Sequence, residues 1–270
     1  MIAILLATYN GEKYLREQIN SILSQTATNW TLYIHDDGST DKTLEIINEF
    51  TGNHPNIIFL EDPTKHRGAC NSFLWLLEKV NADYYMFCDQ DDVWFSNKIE
   101  ESFKAMKQLE NDHVNLPALV FSDLSVTDEE LNIIFNSMWE STRSNKVTFS
   151  EYILCAPCVT GCTMLINKAG KEVSLKYREY AFMHDSLIAL CISYHGQMQA
   201  INRPLIYYRQ HGDNTLGTRP YTSSLLYRIK NLKHIFSEAR QYYNLSKVVT
   251  NISLPYFIYL RLKSIIKVRM

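Results

Sequence analysis

The sequence predicts an α/β fold in which a mostly parallel sheet is covered by helices. Short apolar runs alternate with amphipathic stretches at helical spacing through the first hundred residues, the pattern of strand–helix–strand units. With 270 residues, 46% of them apolar, the chain can bury one full core and carry at most a small appendage. Two acidic clusters directly follow strand-like runs, and in open α/β sheets ligands bind outside the carboxyl ends of strands.

In order, Ile2 to Ala7 reads as the first strand. A helix follows from about Lys13 to Ser24, with Leu15, Ile19, Ile22 and Leu23 on one face. Thr31 to His35 is the second strand and runs into Asp36-Asp37-Gly38-Ser39. Ser39-Thr40-Asp41 then caps a helix reaching about Phe50. Ile57 to Leu60 is a third strand and Ala69 to Val80 a helix. Tyr84 to Cys88 is a fourth strand ending in Asp89-Gln90-Asp91-Asp92, ahead of a helix that starts near Ser96. The second half offers a buried strand at Ala118 to Ser122, an apolar segment at Val159 to Ile166, a helix from about Asp185 to Tyr194, and a strand-like Leu205 to Tyr208.

The formal net charge of −2 hides a split. Residues 219–270 carry ten Lys/Arg against one acid, Glu238, for +9, which leaves −11 on residues 1–218. This tail interleaves Leu, Ile, Tyr and Phe with basic residues, and its run from Tyr256 to Val268 is too short and too charged to span a bilayer. Two readings stay open: a basic amphipathic extension lying on an anionic membrane surface, or a helical flap on the domain or an oligomer contact. The N-terminus has no basic leader or small-residue cleavage site, so a cytoplasmic location is expected, with peripheral contact to the inner face of the membrane if the tail binds it. Six cysteines sit mostly in apolar runs and read as reduced, small hydrophobes. Cys155 and Cys158 form a C-x-x-C pair without a second ligand pair, which favours neither a zinc nor a redox site.

Asp89, Asp91 and Asp92 concentrate carboxylates at a strand end, an arrangement that is costly unless a cation neutralises it. Oxygen ligands completed by water and phosphate suit Mg²⁺ or Mn²⁺, while a solvated acidic turn capping the next helix is the plain alternative. Asp36-Asp37-Gly38-Ser39 is also ordinary turn chemistry when taken singly. Paired with a second acidic strand end, its carboxylate can accept from a pyrimidine N3–H while the other cluster holds a metal-bridged diphosphate.

Five ordered blocks between residue 2 and about residue 218 resemble family 2 glycosyltransferases of the GT-A fold, in particular the bacterial rhamnosyltransferase-like members. They are Ala7-Thr8-Tyr9-Asn10-Gly11, Asp36-Asp37-Gly38-Ser39-Thr40-Asp41, Asp89-Gln90-Asp91-Asp92-Val93-Trp94, Thr160-Gly161-Cys162-Thr163-Met164, and Tyr207-Tyr208-Arg209-Gln210-His211-Gly212-Asp213-Asn214. The resemblance implies a catalytic domain over residues 1–218, with a nucleotide-binding half at 1–95 and an acceptor-binding half at 96–218, followed by the extension at 219–270. It implies that Thr8, Tyr9 and Asn10 line the nucleotide site and that Asp37 reads the base edge, whereas Asp36 shapes its loop. Asp89, Asp91 and Asp92 are implied as metal- and ribose-contacting acids, and His211 as a late metal or diphosphate ligand. Arg209 is implied at the diphosphate and Arg67 at the base or phosphate, each with an ordinary salt bridge or solvated loop as alternative. Trp94, Gly161, Cys162 and His184 are placed in the donor and acceptor pocket. Asp185 matches the family's general base, with helix capping as its plain role, and His184 stands where the family often has Glu.

The implied reaction is sugar transfer from a nucleoside diphosphate donor to a hydroxyl of a glycan or lipid-linked glycan, inverting, metal-dependent, with L-rhamnose as first choice and UDP-linked hexoses or N-acetylhexosamines as alternatives. No nucleic-acid partner is expected. A nicotinamide oxidoreductase is disfavoured because the first turn lacks G-x-G-x-x-G. A metal-dependent phosphohydrolase or a non-catalytic nucleotide-sugar-binding module remains the alternative from another class.

Overall fold

The computed structural model describes residues 1–112, 115–142, 153–154, 159–212 and 232–269. The C-x-x-C pair, Asp213, Asn214 and the start of the tail lie outside the described residues. Strands β1 (Ile2–Thr8), β2 (Trp30–Asp36), β3 (Ile57–Phe59) and β4 (Tyr84–Cys88) alternate with helices α1 (Leu15–Leu23), α2 (Thr43–Asn53) and α3 (Ala69–Lys79). β5 (Val93–Trp94), α4 (Lys98–Asp112), β6 (Ala118–Thr127), β7 (Ile133–Phe135) and α5 (Met138–Thr142) follow. β8 (Met164–Asn167), α6 (Lys168–Leu175), α7 (His184–His195), β9 (Gln197–Arg209), α8 (Leu232–Thr250) and α9 (Leu254–Arg269) complete the chain.

One nine-stranded sheet runs β3-β2-β1-β4-β8-β6-β9-β5, with β7 on β6. β1 pairs in parallel with both β2 and β4, and β6 in parallel with β9. Because β8 is antiparallel to both β4 and β6, β6 and β9 share the direction of β1. Six of the nine strands therefore point the same way, and only β5, β7 and β8 are reversed. The carboxyl ends of β1, β2, β4 and β9 consequently fall on one edge. The turn entering β8 reaches that edge from the opposite sense.

β1 reads as an unbroken apolar run because both of its faces are covered, as parallel strands require. One face packs on α1, α2 and α4 through Ile19, Ile47 and Ile99. The other packs on α3, α7 and α8 through Phe73, Leu190 and Leu245. α2 starts where expected, the Asp41 carboxylate accepting the Thr43 amide at 3.0 Å.

The sequence expectation truncates two strands. β6 is ten residues long and β9 thirteen, against the short runs Ala118 to Ser122 and Leu205 to Tyr208. β9 is masked in sequence by Asn202-Arg203-Pro204. The ladder passes from Ser122↔Ile201 to Asp123↔Pro204, so two residues bulge out and the proline sits where no amide is needed.

α8 behaves as the flap expected of one reading of the tail. Tyr242, Leu245 and Val249 are buried, Ser246 Oγ donates to the Leu154 carbonyl at 2.9 Å, and Tyr242 shares a 2.9 Å hydrogen bond with Ser186 of α7. Among the described residues, no helix is long and apolar enough to cross a membrane.

α7 ends against backbone: a Cβ on Gly196 would lie 1.9 Å from the Pro117 carbonyl oxygen, which accepts the Gln197 amide at 2.8 Å. Gly196→Ala should therefore force β6 and β9 apart. The expected loss is about 1–3 kcal/mol of unfolding free energy in urea titration.

Candidate active site

The carboxyl edge of the sheet carries a cleft of about 440 Å³. Its walls come from the tips of β1, β2 and β4, the start of α3, the turn before β8, the start of α7 and Tyr208 of β9. The register explains the meeting: Thr8 stands opposite Asp36, so β1 and β2 end level, and Leu6 stands opposite Cys88, so β4 ends two residues earlier and its following acidic run falls beside the tip of β1.

Eight of the residues singled out from sequence line this cleft: Thr8, Tyr9, Asp37, Asp89, Asp91, Gly161, His184 and Asp185. Asp37 is buried, and its two carboxylate oxygens accept the backbone amides of Arg67 at 2.7 Å and Gly68 at 2.8 Å. It thus fixes the loop before α3 as well as facing the cleft. Asp36 turns away and accepts the amides of Gly38 and Ser39, the loop-shaping role expected of it. Tyr9 is exposed at the rim, edge-on to His66 at 5.7 Å between ring centres.

Asp89 is half-buried at the end of β4. Burial, then the like charges of Asp91 and Asp185, push its carboxyl up to about 7. Burial followed by Asp91 and Asp89 also raises Asp92, whose Oδ2 has no hydrogen-bond partner. Carboxylate oxygens of Asp89 and Asp92 and the Cys162 sulfur lie within 4.8 Å of one another. His211 Nε2 is 2.7 Å from Asp91 Oδ2, and its ring lies 4.9 Å from that of Tyr14. Burial of Lys98 beneath this group lowers its ammonium to about 8, and Nζ sits 4.6 Å over the Trp94 ring.

Asp185, in the first turn of α7, accepts the Ser186 amide at 2.6 Å through Oδ1. Met183, not Asp185, occupies the cap position, and no side chain caps the helix there. His184 is buried between Phe73 at 4.3 Å and Phe87 at 5.4 Å. Burial lowers its pKa, so its imidazole is neutral, and neither ring nitrogen has a hydrogen-bond partner. Gly161 makes room for it, since a Cβ there would stand 2.5 Å from His184 Nε2.

Several expectations are corrected. Arg209 does not face the cleft: it is buried, its guanidinium donating to the carbonyls of Asp91 and Glu129 and pairing with Glu17 at 2.5 Å, over the Tyr14 ring. It secures the Asp91 backbone. Arg67 turns its side chain to Asp62 at 2.5 Å and lends Asp37 only its amide. Trp94 is a core residue below the acids because β5 directs it between α1 and α4. Asn10 takes a positive φ of 48° and accepts the Thr40 amide at 2.9 Å, tying the β1 turn to the β2 turn instead of lining the cleft. Asp92 and Cys162 lie beneath the cleft wall, both buried.

Sequence reading missed Gln90 and Lys98. Gln90 Oε1 accepts from Thr8 Oγ1 at 2.5 Å and from the Tyr9 amide at 2.9 Å, while Nε2 donates to the Tyr9 carbonyl at 3.1 Å. The signal was the one neutral residue in an acidic run. Lys98 had none, since its burial depends on α4 packing beneath β5.

The sequence model described as glycosyl transferase family 2 matches residues 3–172. The dTDP-rhamnosyl transferase RfbG of Shigella flexneri is 31% identical over 233 residues, which is 78% of this chain and 73% of that protein. An uncharacterized glycosyltransferase of Rickettsia typhi is 27% identical over 68% of this chain, which spans only 56% of that relative's length. Among solved structures, TarS 1-349 of S. aureus in complex with UDP superposes with a TM-score of 0.63 at 13% identity, over 97% of this chain and 70% of that one. The fold is thus that of a GT-A-like nucleotide-sugar transferase. The chain belongs to glycosyl transferase family 2.

An unfolded Asp releases its proton near 4, whereas Asp89 in the fold holds it to about 7. In the absence of divalent cations this residue therefore costs the fold stability increasingly as pH rises between those values, and a constant amount above. The Tm advantage of Asp89→Asn over the wild type should grow across that window and level off, as differential scanning fluorimetry in EDTA would show.

Proposed function

We propose that this glycosyltransferase is inverting and metal-dependent, and that it moves L-rhamnose from dTDP-rhamnose to a hydroxyl of a surface polysaccharide or lipid-linked glycan. The observation that carries the chemistry is that Asp185, Asp89 and Asp91 line one cleft. A group able to take a proton thus stands in the same space as a site that demands positive charge.

The donor set fits a hard divalent ion. Asp89 is raised by burial and then by its acidic neighbours, Asp92 has an orphaned buried oxygen, and Asp91 is held by the His211 imidazole. Asp89, Asp91 and His211 would hold Mn²⁺ or Mg²⁺, with Asp92 supporting from below. When bound, the ion neutralises charge on the departing diphosphate. The chain's own residues do the rest. Thr8, Tyr9 and Asp37 receive the nucleotide, and the neutral His184 and Gly161 bound the sugar side of the pocket. Asp185 takes the proton of the acceptor hydroxyl as its oxygen bonds to the sugar C1; the bond from C1 to the diphosphate oxygen breaks, and the configuration inverts. Arg209 keeps the Asp91 backbone in place throughout, so this ligand needs no rearrangement as charge develops.

Rhamnose rests on the Shigella relative and on the Asp-Gln-Asp-Asp-Val-Trp and Tyr-Arg-Gln-His-Gly blocks. Binding and turnover across dTDP- and UDP-linked sugars, with and without Mn²⁺, test it. A preference for a UDP-hexose or UDP-N-acetylhexosamine would replace the sugar but keep the mechanism. Asp185→Asn should lower kcat for transfer by on the order of 10²–10⁴-fold with donor binding intact, and full activity in that variant would remove the base.

A further inference from the structure

α9 divides its surface unequally. Phe257 and Leu260 are buried, and Phe257 meets Tyr243 of α8 at 5.4 Å between ring centres. Leu254, Ile258 and Leu262, one every four residues, are 47%, 49% and 57% exposed, with Tyr256 and Tyr259 also exposed beside them. A helix that is apolar on nearly every side is normally covered on every side, yet among the described residues α9 is covered on one. By sequence, residues 219–270 carry +9, and among the described residues Arg240 and Lys247 of α8 and Lys263 of α9 have exposed side chains.

We propose that this arc of α9 docks in the plane of an anionic lipid bilayer. Leu254, Ile258 and Leu262 sink below the headgroups, Tyr256 and Tyr259 lie at the boundary, and the basic side chains meet lipid phosphate. Charge favours this occupant over a second copy, because two such tails would bring like charges together. The −11 of residues 1–218 is repelled by the same surface, so the protein is held by its tail with the body turned outward. The two readings open in the sequence are thereby divided between two helices: α8 is the flap and α9 the membrane-facing surface. Neither the sugar nor the metal enters this argument, so it stands or falls separately from the proposed reaction.

The test is co-sedimentation of the full chain with vesicles of phosphatidylcholine alone or with phosphatidylglycerol, at low and high salt. The wild type is expected to pellet with the anionic vesicles and to be released by salt. The triple variant Leu254→Ser, Ile258→Ser, Leu262→Ser should bind at least tenfold more weakly. These side chains are about half exposed, so the variant should fold, which its melting curve and donor binding check. Equal recovery of the wild type in the supernatant with both vesicle types would overturn the proposal, as would equal binding of wild type and variant. A dimer in light scattering that the triple variant abolishes, without vesicle binding, would assign the face to a second copy and overturn it as well.

Discussion

Carboxylates gathered at the tip of one strand repel each other, and the rest of the site is arranged around that repulsion. Asp89, Asp91 and Asp92 follow the end of β4, where burial and then the neighbouring carboxylates favour the neutral forms of Asp89 and Asp92. Three cationic or neutral partners restrain them without cancelling them. Arg209 grips the Asp91 backbone, His211 its side chain, and Lys98 lies underneath near Asp92. None of the three is among the residues lining the cleft, so the open side keeps its demand for positive charge. Sheet direction makes this workable: with six strands pointing one way, the ends of β1, β2, β4 and β9 meet on a single edge.

Much of the fold could be read from the chain because local and global signals agree through the first hundred residues. β1 to β4 and α1 to α3 have clean apolar periods and turn residues between them, and their bounds fall within a few residues of expectation. The second half was harder for a physical reason. β9 runs for thirteen residues beside β6 but contains Asn202, Arg203 and Pro204 at a bulge, which interrupts its period. β5 and β7 are two and three residues long and exist only because longer partners are already in place. Pattern cannot announce a strand that short.

The site was legible in its carboxylates and less so in its cations. Asp37, Asp89, Asp91 and Asp185 reach one cleft, since strand tips and helix starts are fixed by the fold. The resemblance implied Arg67 at the base or phosphate and Arg209 at the diphosphate, with ordinary pairing as the alternative; both satisfy nearby acids and carbonyls, because a long side chain reaches whatever unpaired acceptor is closest. Gln90 shows the converse. The one neutral residue of the acidic run joins two strand ends through its amide, and gives the turn after β1 a rigidity that no acidic side chain there would supply.

The hydrogen bond between Tyr242 and Ser186 reaches further than its length. Ser186 follows Asp185 directly and gives it an amide, while Tyr242 belongs to a helix far along the chain. The same helix carries Tyr243, whose ring meets Phe257 of α9. A chain cut after the sheet would thus strip Asp185 of a buttress, and any tug on the last helix has a short mechanical route to that carboxylate and the wall of the cleft. The last helix and the rim of the cleft share one lever.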